Sequence, residues 1–115
     1  MNKYILLIVL LLPSICNAAN GNFLLEGCTV DVNYKGDTMP NSIDAMKQGY
    51  CSGLVSGIIN TAQLYDNKLF CVKEKCGYDE AKKIVINYLN KHPSQLHEEA
   101  FPLAISAFKE AFPCE

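Results

Sequence analysis

The sequence predicts an all-α fold, a small disulfide-stabilised bundle of about four helices, and three observations predict it. Apolar residues recur at helical spacing in three long segments beyond Asn41. Nothing reads as a pair of alternating strands. Five cysteines crowd the stretch from Cys28 to Cys114, a density that in a short exported chain signals cross-links.

Export itself is read from the first residues. Lys3 precedes an unbroken apolar run from Ile5 to Leu12, and Pro13, Ser14 and then Asn17-Ala18-Ala19 close it, which is the pattern of a cleaved signal peptide. A membrane span needs about 20 apolar residues, and this run is far shorter. Residues 1–18 are therefore expected to be the leader and 19–115 the mature domain, with cleavage after Ala18 or Ala19. Cys16 follows Ile15, where a lipidation site wants a small residue, so it belongs to the leader. The mature part, about 96 residues, is one domain with a single modest core. It keeps all 12 acids and loses Lys3 from the 10 basic residues, for a formal charge of −3. Such mild acidity points to neither nucleic acid nor an anionic membrane as partner.

An odd number of mature cysteines leaves one thiol unpaired, and fifteen arrangements are open. Chain topology favours Cys28 with Cys51, which ties the first mature segment to the long central helix, and Cys71 with Cys114, which ties the chain's end to its middle. Loop-closure entropy gives about 3.5 and about 4 kcal/mol for these two, against about 2 for Cys71 with Cys76. Zinc is a poor alternative, because no Cys-x-x-Cys occurs and Lys73 and Lys75 lie between Cys71 and Cys76. No cofactor or metal is expected.

Along the mature chain, Asn22 to Cys28 holds Phe23, Leu24 and Leu25 and predicts one or two helical turns dropping into the core. A loop follows through Asn33-Tyr34-Lys35-Gly36-Asp37 and Met39-Pro40-Asn41, with Ser42 as the expected N-cap of a long helix. Its core stripe is Cys51, Leu54, Val55, Ile58, Ala62 and Tyr65. The same helix carries Gly49, Gly53 and Gly57 at steps of four with Ser52 and Ser56 beside them, a bare stripe best read as a tight helix crossing within the chain, and otherwise as a self-association or partner face. A third helix runs from Gly77 to Pro93, with Asp79 and Glu80 in its first turn, Lys91 and His92 at its end, and a stripe of Ala81, Ile84, Val85, Tyr88 and Leu89. A last helix starts near Glu98 or Glu99 with Phe101, Ala104, Ile105, Phe108 and Phe112 inward, and Pro102 sits where first-turn amides have no intrahelical partner.

Catalytic patterns are weak. His92 and His97 are five apart with Pro93 between them, so they do not share a helical face. Cys76 lies beside Lys75 just before a helix, a setting that lowers a thiol pKa, yet a small buried cysteine filling the core is the better reading. No Ser-His-Asp order, phosphate loop or paired-carboxylate pattern is present, so an enzyme is not expected.

The segments Gly49-Tyr50-Cys51-Ser52-Gly53, Phe70-Cys71, Val85 to Pro93 with Tyr88-Leu89 and Lys91-His92-Pro93, and the ending Ala111-Phe112-Pro113-Cys114 resemble the Rap/Tai-type immunity proteins. Those are small helical periplasmic proteins of bacteria that carry type VI secretion systems, and the resemblance covers roughly Phe23 to Cys114. It implies four conserved-type cysteines at Cys28, Cys51, Cys71 and Cys114, a cognate peptidoglycan amidase effector as partner, inhibition by covering its active cleft, and often a homodimer. Two departures stand out: Cys76 replaces an aliphatic residue, and Gly77 replaces a Thr N-cap, which weakens that helix start by a few tenths of a kcal/mol. The expected contact surfaces are Tyr65, Asp66, Asn67 and Lys68, and Lys73, Glu74 and Lys75, polar connectors next to a disulfide anchor, with Tyr65 foremost as a large aromatic. The rival reading is a periplasmic stress-response or holdase-type helical protein.

Overall fold

Asn20 begins the first helix: its side-chain oxygen accepts from the Phe23 amide at 3.1 Å, which satisfies one of the open donors of α1, Gly21–Asn33. The computed structural model describes residues 18–65, 69–72 and 75–115; the expected signal peptide lies outside them but for its last residue. The other elements are α2, Ser42–Leu64; α3, Tyr78–Lys91; a 3-10 turn, Pro93–Gln95; and α4, Ala100–Ala111. The all-α bundle of four helices expected from the periodicity is the fold observed, and two disulfides staple it.

The sequence undersold α1, which is thirteen residues long rather than one or two turns. Weak helix formers in its second half, Thr29, Val30 and Val32, hide it from propensity. Tertiary contact supplies what propensity lacks, since α1 packs on α2, α3 and α4 with Leu24 and Cys28 fully buried. Gly27 is the point of closest approach: a Cβ there would overlap the backbone of Lys47 on α2. At the start of α1, the Gly21 amide donates to the Glu98 carbonyl at 2.9 Å and the Ala100 amide to the Ala19 carbonyl at 2.8 Å, which seals the chain's beginning onto the start of α4.

Asn41, not Ser42, caps α2. It accepts from the Asp44 amide at 2.9 Å and donates to the Asp44 carboxylate at 2.8 Å. α3 begins at Tyr78 after Gly77, which offers no side-chain cap, with Asp79 and Glu80 in its first turn and Lys91 in its last. α4 begins one residue later than expected, at Ala100, with Pro102 in its first turn.

Phe108, Leu24, Ile59, Leu89, Val55 and Val85 fill the centre. Phe70 packs on Phe108 with ring centroids 5.5 Å apart. Two expected core positions face solvent instead. Phe101 is 54% exposed because the seal onto Ala19 turns Ala100, Leu103, Ala104 and Ala107 inward. Tyr65 is 70% exposed because it is the C-cap of α2, with extended backbone that takes it off the helical stripe.

Candidate functional site

The glycine stripe of α2 does not pack inside the chain. Around Gly49, Gly53 and Gly57, nothing lies within 4 Å of where a Cβ would sit, which corrects the expectation of an intramolecular crossing. Three mid-helix glycines weaken α2 by nearly 1 kcal/mol each relative to alanine, and the isolated chain offers no contact in exchange. The physical reason was legible. The core residues Cys51, Val55 and Ile59 lie two positions from these glycines, about 200° around the helix, so the bare stripe points away from the core.

Beside this stripe, α2 and α4 form an open groove of about 390 Å³. Gly53, Leu54, Gly57, Ile58, Phe70 and Ile105 line it together with Leu69 and Phe101, which are more than half exposed. Thr61 and Ala62 complete it, and no charged residue lines it. At the end of α2, Leu64 and Tyr65 are 77% and 70% exposed.

Of the residues expected at the partner surface, Tyr65 and Lys75 are described and both are exposed. They flank the segment anchored by the Cys71–Cys114 disulfide, where the Cys71 amide donates to the Phe112 carbonyl at 2.8 Å. Asp66, Asn67, Lys68, Lys73 and Glu74 lie outside the described residues.

The disulfides join Cys28 to Cys51 and Cys71 to Cys114, and Cys76 is the free cysteine among the described residues. Cys76 is buried in the core cluster. Burial, and then the charge of Glu80, push its thiol above the ordinary value, so the lowering expected from the helix start and Lys75 does not prevail. His92 stacks on Tyr88 with ring centroids 4.1 Å apart and sets Nδ1 2.8 Å from the Tyr88 carbonyl, while His97 is exposed. Neither histidine joins a cluster that could hold a metal ion among the described residues.

One constellation was not read from the sequence. Asp31 on α1 accepts from Gln48 Nε2 at 2.7 Å and Ser52 Oγ at 2.8 Å, both on α2, and pairs with Lys82 on α3. Burial raises the Asp31 carboxyl, but the hydrogen bonds from Lys82, Gln48 and Ser52 and the Lys82 charge outweigh it and hold the group below its ordinary value. Burial likewise works against the Lys82 ammonium, and Asp31 followed by Asp79 outweighs it and raises that pKa. This is a polar clamp across three helices, and nothing in the spacing of the four residues announces it.

The arrangement defines a class: a disulfide-stapled helical module with an open apolar groove, and with Cys76, the free cysteine among the described residues, buried. The model of the family described as Rap1a immunity proteins matches residues 20–114 of the 115, and the chain belongs to that family. It is an immunity protein by membership, and its resemblance to the Rap/Tai type is thereby shown. Comparison with curated proteins finds no match. No helix among the described residues is long and apolar enough to cross a membrane.

Proposed function

We propose that this protein is a periplasmic immunity protein, exported by its cleaved leader, that neutralises a peptidoglycan amidase delivered by a type VI secretion system. It acts by binding and occludes the amidase's active cleft, with two copies of the chain paired as a homodimer. The observation that carries the reading is the family match over residues 20–114.

The surface supports it. Tyr65, at the end of α2, projects a large amphipathic side chain from a segment held nearby by Cys71–Cys114. A preorganised loop loses little conformational entropy on binding, which is what tight inhibition requires. Lys75 and the neighbouring segments 66–68 and 73–74 are the proposed remainder of the contact.

The test is purification of the oxidised chain from residue 19 onward with a peptidoglycan amidase effector of the type VI secretion system of the same cell. A stable complex and loss of peptidoglycan cleavage are expected, with Tyr65→Ala weakening binding by about 2 kcal/mol or more, roughly thirtyfold. Undiminished amidase activity in excess protein would sink the reading. Indiscriminate binding of unfolded clients would replace it with the holdase reading.

A further inference from the structure

Between Ala18 and Ala19 the chain passes from solvent into the fold. Ala18 is exposed, while Ala19 is half-buried and packs against the core. The Ala19 carbonyl accepts from the Ala100 amide at 2.8 Å. Asn20 then bridges Glu99 in the antiparallel sense, and the Gly21 and Asn22 amides donate to the Glu98 and Leu96 carbonyls at 2.9 and 3.0 Å.

Of these contacts, the one from Ala19 is the one α4 depends on. The amide of a helix's first residue has no partner within the helix. Glu99, the N-cap of α4, makes no side-chain capping bond, and Ala100 is fully buried, so water does not take the place of a lost acceptor. Ala19 therefore supplies from outside the cap that α4 lacks.

We propose that the peptidase of the export route cuts this chain between Ala18 and Ala19, which makes Ala19 the first residue of the mature protein. The inference rests on the exported reading above and deepens it by choosing between the two bonds that the sequence left open.

Two independent features select this bond. A leader is cut after a small-x-small pattern, with the middle position free. A cut after Ala18 sets Cys16 and Ala18 in the two small positions, whereas a cut after Ala19 sets the bulkier Asn17 in one of them. The fold selects the same bond for a different reason. The three backbone bonds of the seal use the Ala19 carbonyl and the amides of Gly21, Asn22 and Ala100, so a cut before Ala19 leaves all of them intact, and a cut after it removes the acceptor of the buried Ala100 amide. The step is hydrolysis. The bond from the Ala18 carbonyl carbon to the Ala19 nitrogen breaks; the hydroxyl of water joins the carbon and its proton joins the nitrogen. The products ionise to a carboxylate on the leader and an α-ammonium on the mature chain.

Expression of the full chain in a bacterial host with a periplasm, followed by N-terminal sequencing and intact-mass measurement of the periplasmic product, reads the cut. A start at Ala19 is expected. Asn17→Phe, at the free middle position, should leave that product unchanged, and Ala18→Phe should abolish it. Chains that begin at Ala19 and at Asn20, released from a fusion and oxidised, should differ in urea, with the unfolded population about tenfold higher for the shorter one. A start at Asn20, or a product that Asn17→Phe blocks and Ala18→Phe spares, overturns this inference and leaves export standing. Equal urea midpoints for the two chains overturn Ala19 as the cap that α4 requires. A full-length chain confined to the cytoplasm overturns this inference and the exported reading together.

Discussion

The Lys82 ammonium on α3 pairs with the Asp31 carboxylate on α1 where both side chains are nearly out of solvent, 12% and 10% exposed. Gln48 and Ser52 from α2 complete the carboxylate's shell. Removing one member therefore strands the others. Asp31→Ala is expected to destabilise the oxidised protein by about 2–3 kcal/mol, because Gln48 and Ser52 lose their acceptor and the Lys82 ammonium keeps only the exposed Asp79, 3.5 Å away. Replacing both partners, Asp31→Leu with Lys82→Met, should cost distinctly less. Urea denaturation of the three proteins measures the difference, and equal losses for the single and double variants would show that the pair does not act as a clamp.

The same clamp sets a pH dependence. The folded Asp31 pKa lies below its unfolded value, so its contribution is fully present above about pH 4 and is lost as pH falls through the depressed folded value. The folded Lys82 pKa lies above its unfolded value, so that contribution is present below about pH 10 and is lost as pH rises through the raised value. Stability from this pair is thus expected to be level across neutral pH and to drop at both extremes. Chemical denaturation at a series of pH values should show a steeper acid loss in the native protein than in Asp31→Leu/Lys82→Met.

Gly27 holds α1 and α2 together at their nearest point. A Cβ there would lie 2.7 Å from the Lys47 carbonyl carbon, and that neighbour is backbone that cannot swing aside. Gly27→Ala is expected to destabilise by about 1–3 kcal/mol through forced separation of the helices. The loss should appear in denaturant midpoints of the oxidised protein. An unchanged midpoint would mean that α1 slides past Lys47 without consequence.

The parts of this fold that were legible are those written in a single helix. The stripes of α3, the stop at Pro93 and the start of α2 within one residue all follow from local pattern. What escaped depends on how helices meet. Thr29, Val30 and Val32 disfavour the helix that contact with three neighbours imposes, and Phe101 shares the apolar character of Leu103 while pointing the other way. The bare stripe at Gly49, Gly53 and Gly57 was visible as chemistry, and its direction followed from its offset against Cys51 and Val55. The groove between α2 and α4 was not visible, since Phe101 and Gly57 are brought together only by the tertiary fold.

Cys76 supplies a direct probe of the stapled state. The two disulfides consume Cys28, Cys51, Cys71 and Cys114, which leaves Cys76 as the one free thiol among the described residues. That thiol is 8% exposed and its pKa is raised by burial and by Glu80, so at neutral pH it holds little thiolate and little of it is accessible. Alkylation depends on both. Iodoacetamide should therefore modify the native protein far more slowly than the urea-unfolded protein, and both should end at one adduct, on Cys76. Reducing the disulfides first should raise the count to five and remove the protection together, because the cross-links restrain the unfolded chain by about 3.5 and about 4 kcal/mol, comparable to the stability of a small domain. A reduced chain that still shields Cys76 would show that packing alone holds the bundle.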